Sequence, residues 1–168
     1  MLLAMRPEEA RWREMPAPLD LQLRRLQTLW SAWRDQAPLP PTSRFDPESV
    51  ATLMPWIILV DILPQPNAFR IYDLRSRFMG SSFCQFFGVD DQQHLLVSEI
   101  GSPFAERWFD VVDAVLQTGA CRSFEGSPFQ TAYPFAHFEM CVLPFTAEGS
   151  RLDSLLAAFA MSMFRRIV

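Results

Sequence analysis

Met54-Pro55-Trp56-Ile57-Ile58-Leu59-Val60-Asp61-Ile62-Leu63 runs into Pro64-Gln65-Pro66-Asn67 and rebounds as Ala68-Phe69-Arg70-Ile71-Tyr72-Asp73-Leu74. A β-branched and apolar run, a turn rich in Pro and Asn, and a second alternating run predict a β-hairpin. Asp61 is the one charge inside the first strand. In a half-buried strand its carboxylate belongs at a sheet edge or beside an Arg.

The same design returns near the C-terminus. Cys121 to Gly126 reads as a short strand, and Phe135 to Phe145 as a long one through the alternation Ala136-His137-Phe138-Glu139-Met140-Cys141-Val142-Leu143. Thr146-Ala147-Glu148-Gly149-Ser150 is a turn, and Leu152 to Met163 is the return strand. The middle is helical. Arg75 to Gly88 places Phe78, Phe83, Phe86 and Phe87 within ten residues. Its Gly and Ser content predicts only a short helix, ending at Gly88. Val89 to Ile100 continues as loop and short helical turns. Ser102-Pro103 is a cap-plus-proline start, and Phe104, Trp108, Val111, Val112 and Val115 keep one apolar face until Gly119. A sheet contributed from both ends around a helical middle is an α+β fold of ligand-sensing type.

Upstream, residues 1–18 carry Pro7, Pro16 and Pro18 without periodicity and are expected to be loose. From Leu19 to Gln36 the stripe Leu19, Leu23, Leu26, Trp30, Trp33 recurs every three or four residues, which predicts an amphipathic helix with a heptad-like seam. Asp20 complements the positive end of its dipole. A helix of roughly 17 residues is marginal alone in water, so this stripe must be covered, by its own domain or by a second copy. Its five residues are the candidate contacts for a homodimer or a protein partner. Ala37 to Arg44, with three prolines, is a semi-rigid spacer, and Asp46-Pro47 starts a short helix reaching about Met54. The expected segments are 1–18, 19–45 and 46–168.

Bulk properties narrow the function. A chain of 168 residues suits one domain with an appendage, and 49% apolar content excludes a mostly disordered protein. Apolar runs fall well short of the ~20 residues that span a bilayer, and the N-terminus lacks the pattern of a signal peptide, so a cytoplasmic protein without a membrane segment is expected. Cys84, Cys121 and Cys141 match neither a disulfide framework nor a zinc pattern, and read as buried thiols. All 15 basic residues are Arg, as in a GC-rich bacterial coding sequence. Residues 1–45 carry seven Arg against five acids and 46–168 eight against fourteen, so the folded portion is acidic and no nucleic-acid partner is expected.

The order of elements resembles the PAS fold, a five-stranded antiparallel sheet (β-β-α-α-α-β-β-β) with short helices over a pocket, here preceded by an amphipathic helix. The resemblance extends to motifs: Leu29-Trp30-Ser31-Ala32-Trp33-Arg34, Pro38-Leu39-Pro40, Arg44-Phe45-Asp46-Pro47, and Met54 to Leu63. Phe69-Arg70-Ile71, Phe86-Phe87-Gly88, and Val142-Leu143-Pro144-Phe145 with Gly149 continue it over residues 26 to 163. These look like a bacterial PAS-like family known mainly from alphaproteobacteria, many of whose members are lone domains acting as sensors or interaction modules. The chain departs from that family at the apolar Phe78-Met79, where a more polar, Gly-containing start is usual.

The resemblance implies a signalling module that binds a small apolar ligand or a protein partner and signals through dimer or partner contacts. The alternative is a ligand-free interaction domain with a filled core. Phe78, Phe83, Phe86, Phe87, Trp108, His137 and Phe138 are the candidate pocket residues, suited to an apolar or planar ligand. Most such aromatics in a small domain are plain core. His137 in a strand is a haem or acid ligand only if it faces the pocket, and a lone His is more often structural. Cys84-Gln85-Phe86-Phe87-Gly88 superficially resembles a flavin-reactive motif, but the cysteine lies too early and the flavin-gripping polar residues are missing. No cofactor is required by the sequence, and haem and flavin are disfavoured. No catalytic elbow, phosphate loop or metal cluster is present in the sequence, and Asp90-Asp91 reads as a solvated loop pair, so no enzymatic activity and no metal are expected.

Overall fold

The apolar run that follows Trp56 becomes an interior strand of the sheet, entered from a 3-10 turn and left through the Pro64-Gln65-Pro66-Asn67 loop. A computed structural model describes residues 12–90, 95–127, 136–148 and 150–162. Strand β1 is Arg13–Met15, helix α1 Leu21–Arg34, β2 Ile57–Leu63, β3 Asp73–Met79, α2 Ser81–Phe87, α3 Val97–Ile100, α4 Phe104–Thr118, β4 Arg122–Gly126, β5 His137–Phe145 and β6 Ser154–Ser162. Three single-turn 3-10 segments, Thr42–Arg44, Pro47–Val50 and Met54–Trp56, join α1 to β2. The sheet is antiparallel with strand order β1-β4-β5-β6-β2-β3.

Six strands replace the expected five. Arg13–Met15, in the segment expected to be loose, pairs with β4 in the register Arg13↔Glu125, Glu14↔Phe124, Met15↔Ser123. Three residues are too few to show an alternation, so the partner strand decides this element. Residues 1–11 lie outside the described residues, as do His94, Asp91, Phe135, Gly149 and Met163.

The hairpin return also starts later than the alternation predicts, at Asp73. Asn67 folds the intervening loop on itself. Its side-chain oxygen accepts from Phe69 N at 2.7 Å and Arg70 N at 3.0 Å, and its amide donates to Tyr72 O at 2.6 Å. Arg70 and Tyr72 then clasp α4: Arg70 donates to Asp113 and Asp110, both at 2.6 Å, and the Tyr72 hydroxyl donates to Asp113 at 2.7 Å. Phe69 stacks on Phe109 at 5.7 Å. Ile71, apolar but 86% exposed, supplied a false beat to the pattern.

Both faces of the sheet are covered. On the inner face α2, α3 and α4 pack against Ile58, Val60, Leu74, Phe138, Met140, Val142, Leu155 and Phe159. On the outer face Leu23, Leu26 and Trp30 of α1, with Leu39, Val50 and Leu53, pack against Ile57, Cys141, Leu143, Leu156 and Ala158. Leu23 and Leu26 are fully buried, so of the two covers left open for the α1 stripe the chain's own sheet is the one that meets these side chains. Each such side chain contributes about 1.5–3 kcal/mol on burial. Trp33 sits at the margin, edge-on to Phe45 at 5.7 Å. Leu19 is not on the helix: Asp20 is the cap, accepting from Gln22 N at 2.8 Å and Leu23 N at 3.1 Å, and Leu19 precedes it, 39% exposed. The spacer is docked, since Thr42 N donates to Thr146 O at 2.9 Å and Thr146 N to Pro40 O at 3.1 Å.

Candidate functional site

Alternation along β5 and β6 sends Phe138, Met140, Leu155 and Phe159 inward, and α2 and α4 bring further rings over them. Helix α2 ends where glycine permits a left-handed residue, Gly88 at φ 66°. Helix α4 ends likewise at Gly119, φ 63°. Its N-terminal cap position is Pro103; Ser102, the expected cap, makes no capping bond. Phe83 and Phe87 lie 4.7 Å apart, Phe87 is 5.2 Å from Phe159 and 5.8 Å from Phe138, and Trp108 is 6.1 Å from Phe159. Thus Phe83, Phe86, Phe87, Trp108 and Phe138, five of the seven expected pocket residues, do converge in the inner aromatic cluster.

Phe78 and His137 do not. Between Leu59 and Val60 the β2–β3 register slips by one residue, pairing Leu59 with Phe78 but Val60 with Ser76. The extra residue, Arg77, is a β-bulge that reverses the alternation. Phe78 therefore shares the outer face with Leu59 and is 37% exposed, while Ser76 turns inward. His137 precedes inward Phe138 and also faces outward, its Nε2 3.3 Å from Glu125 Oε2. The bulge gives Asp61 its partners, Arg75 at 3.2 Å and Arg77, as its place in a strand predicts.

Sequence reasoning missed three rings and one hydroxyl. Phe104 and Phe159 join the cluster, and so does Trp12, which immediately precedes β1 and is edge-on to Trp108 and Phe138, each at 5.3 Å, and to Phe104 at 6.3 Å. Phe159 was legible in the Leu155, Ala157, Phe159 alternation; Trp12 carried no local signal. Between Ile58, Val60, Ser76, Met79, Phe83, Leu95 and Trp108 remains a cavity of about 20 Å³. Ser76, 5% exposed, lines it with a hydroxyl that has no hydrogen-bond partner among the described residues.

The clasp on α4 positions Trp108 and Phe104. Burial, then the bond to Asp113, raises the Tyr72 hydroxyl well above the usual phenol range, and the same carboxylate raises Arg70. Tyr72 therefore stays neutral and Arg70 charged near neutrality. On the outer face burial raises Cys121 and pushes Cys141 up to about 12, leaving both as protonated, poorly nucleophilic thiols. A second concavity of about 120 Å³ opens on that face between Thr42, Phe45, Leu59, Arg77, Phe145 and Ser154. No helix among the described residues is long and apolar enough to cross a membrane.

No curated protein and no solved structure matches the chain. The sequence pattern described as PAS domain matches residues 20–160, taking in α1, the spacer, strands β2 to β5, most of β6 and all three inner helices. With a mixed α and β composition, an antiparallel sheet and helices over its inner face, the chain belongs to the PAS domain family, whose members are sensory and signalling modules.

Proposed function

We propose that the chain senses a small, largely apolar molecule carrying one hydrogen-bonding atom, taken up in the inner aromatic chamber. The observation behind this reading is the Ser76 hydroxyl, buried and unpartnered on the wall of an otherwise apolar cavity. An unsatisfied buried hydroxyl costs about 1–3 kcal/mol. A cavity of about 20 Å³ has room for one water, but a buried water needs about two to four polar partners and the named side chains here offer one. A ligand with a single polar atom satisfies Ser76 and keeps its remainder on the rings. Binding requires the rings to part, and that rearrangement alters the sheet or α1 and so the contacts made with a partner or second copy. The ligand shifts this equilibrium only by its difference in affinity for the two states.

Native mass spectrometry of freshly purified protein, followed by thermal melting against a broad metabolite screen, tests the reading. A retained molecule or a raised melting point, lost in Ser76→Ala, supports it. A repeatedly empty protein whose melting nothing moves overturns it.

The second reading is a ligand-free interaction module, favoured by the outer concavity. At about 120 Å³ it exceeds the inner cavity, and Phe78 stands partly exposed on the same face. In that case Phe78→Ser should abolish partner contacts while the chain stays folded, at a stability cost of about 1–2 kcal/mol for its partly covered ring.

A further inference from the structure

One of the chamber's two indoles that meet edge-on is not part of the matched domain. Trp12 lies eight residues before the first matched position, Leu21–Arg34 intervenes before the sheet, and its indole enters the inner cluster from the β4 edge. Three rings receive it edge-on at interplanar angles of 88–89°: Phe104, Trp108 and Phe138. Phe104 and Trp108 also line the Ser76 cavity, so the two volumes share a wall. Gly126 makes the entry. A Cβ there would sit 2.7 Å from Trp12 Cδ1 and 3.5 Å from the Phe138 ring. Glycine inside a strand weakens it and marks a close approach; here the approach is by the indole.

The seating is poorly secured. Trp12 Nε1 is buried with no hydrogen-bond partner among the described residues. Behind it β1 is a three-residue edge strand, fastened by Arg13–Glu125 and Arg122–Glu14, of which Arg13 is 68% exposed. Exposed ion pairs of this kind add little stability and are screened by salt. By contrast Trp30, in the outer layer, donates its indole N–H to Pro144 O at 2.8 Å.

We propose that the volume filled by the Trp12 indole is the ligand site, that Trp12 is its resident plug, and that the ligand is a planar aromatic of about bicyclic size whose binding expels Trp12 and frees β1. This deepens the sensing reading and rests on it. The ligand meets the same three ring edges, and a polar atom on it reaches the Ser76 side of the chamber. The output is a change at the β4 edge, where β1 leaves or returns.

Free indole is the probe. Calorimetric titration of full-length wild type, Trp12→Ala and Trp12→Phe should give affinity rising in the order wild type, Phe, Ala. The Ala variant should bind roughly tenfold or more tightly than wild type, because a site populated only when its plug is out shows affinity reduced by that fraction. Saturating indole should raise amide hydrogen exchange at Arg13–Met15 in wild type. Gly126→Ala, which leaves no room for the seated indole ring, should show that fast exchange without ligand. If Trp12→Ala does not fold, wild type against Trp12→Phe carries the same comparison. Equal affinity in all three chains with β1 exchange unmoved would put the ligand elsewhere in the chamber and overturn the plug while sparing the sensing reading. No binding of indole by any variant, with an empty wild type in native mass spectrometry, would remove both.

Discussion

The two faces of the sheet are packed to different standards. The outer layer is aliphatic, with Leu23, Leu26 and Leu143 fully buried, and its tryptophan, Trp30, has its indole N–H bonded to Pro144 O. The inner layer is aromatic and, among the described residues, Trp12 Nε1 and Ser76 Oγ are buried there without hydrogen-bond partners, beside a small cavity. Buried polar groups are ordinarily bonded, and exceptions require an explanation. The outer face has loose points of its own, the Arg34 and Arg75 Nε atoms and the concavity of about 120 Å³, so the contrast lies in the layers' chemistry and in how each holds its tryptophan.

The sharpest way to break that contrast is to truncate the two tryptophans. Trp30→Ala should cost about 3–5 kcal/mol in urea unfolding, from lost packing and an orphaned Pro144 carbonyl. Loss of a dimer with stability intact would instead mean that the α1 stripe serves a second copy. The outer layer also has a titrating reporter. Burial raises Cys141 from 9.0 to about 12, so the folded state prefers the protonated thiol. That contribution is whole below pH 9 and is lost as pH rises to about 12. Unfolding free energy measured from pH 8 to 12 should fall, and fall less in Cys141→Ala; Tyr72 and Cys121, raised likewise, keep part of the slope. An unchanged slope would mean that Cys141 is not desolvated.

Trp12→Ala should cost less than Trp30→Ala, about 2 kcal/mol, since its side chain is only partly buried and its N–H was unsatisfied. Equal costs would make Trp12 ordinary core and erase the difference between the layers.

Much of this arrangement was legible in the chain, and the parts that were not share a cause. Four of the five α1 stripe residues, the β5–β6 hairpin, the Gly88 and Gly119 stops and the Asp46 cap follow from local periodicity or capping chemistry and stand where those rules put them; Leu19 falls before the helix. Phe83, Phe86, Phe87, Trp108 and Phe138 were recognisable as one cluster because helix and strand periods point them the same way. Phe78 was misplaced because a single bulged residue, Arg77, reverses a face, and no local signal marks a bulge. Trp12 and β1 were missed because three residues have no period, and their conformation is set by a strand about 110 positions away. Ser76, half-way along a strand of mixed polarity, becomes informative only when its neighbours are known.

That hydroxyl offers the smallest effect and the finest discrimination. In a plain core Ser76→Ala would be nearly neutral or mildly destabilising, through the loss of a hydrogen bond worth about 1 kcal/mol. Here the Oγ has no bond to lose and sits against Ile58, Met79 and Phe83, so alanine should raise unfolding free energy by about 1 kcal/mol in the ligand-free chain. The same change should lower affinity for any ligand whose polar atom it meets. Stability and binding then move in opposite directions, which a packing residue does not do. A destabilised Ser76→Ala would show that the hydroxyl is already satisfied in the ligand-free chain, and the case for an inner polar contact would fall.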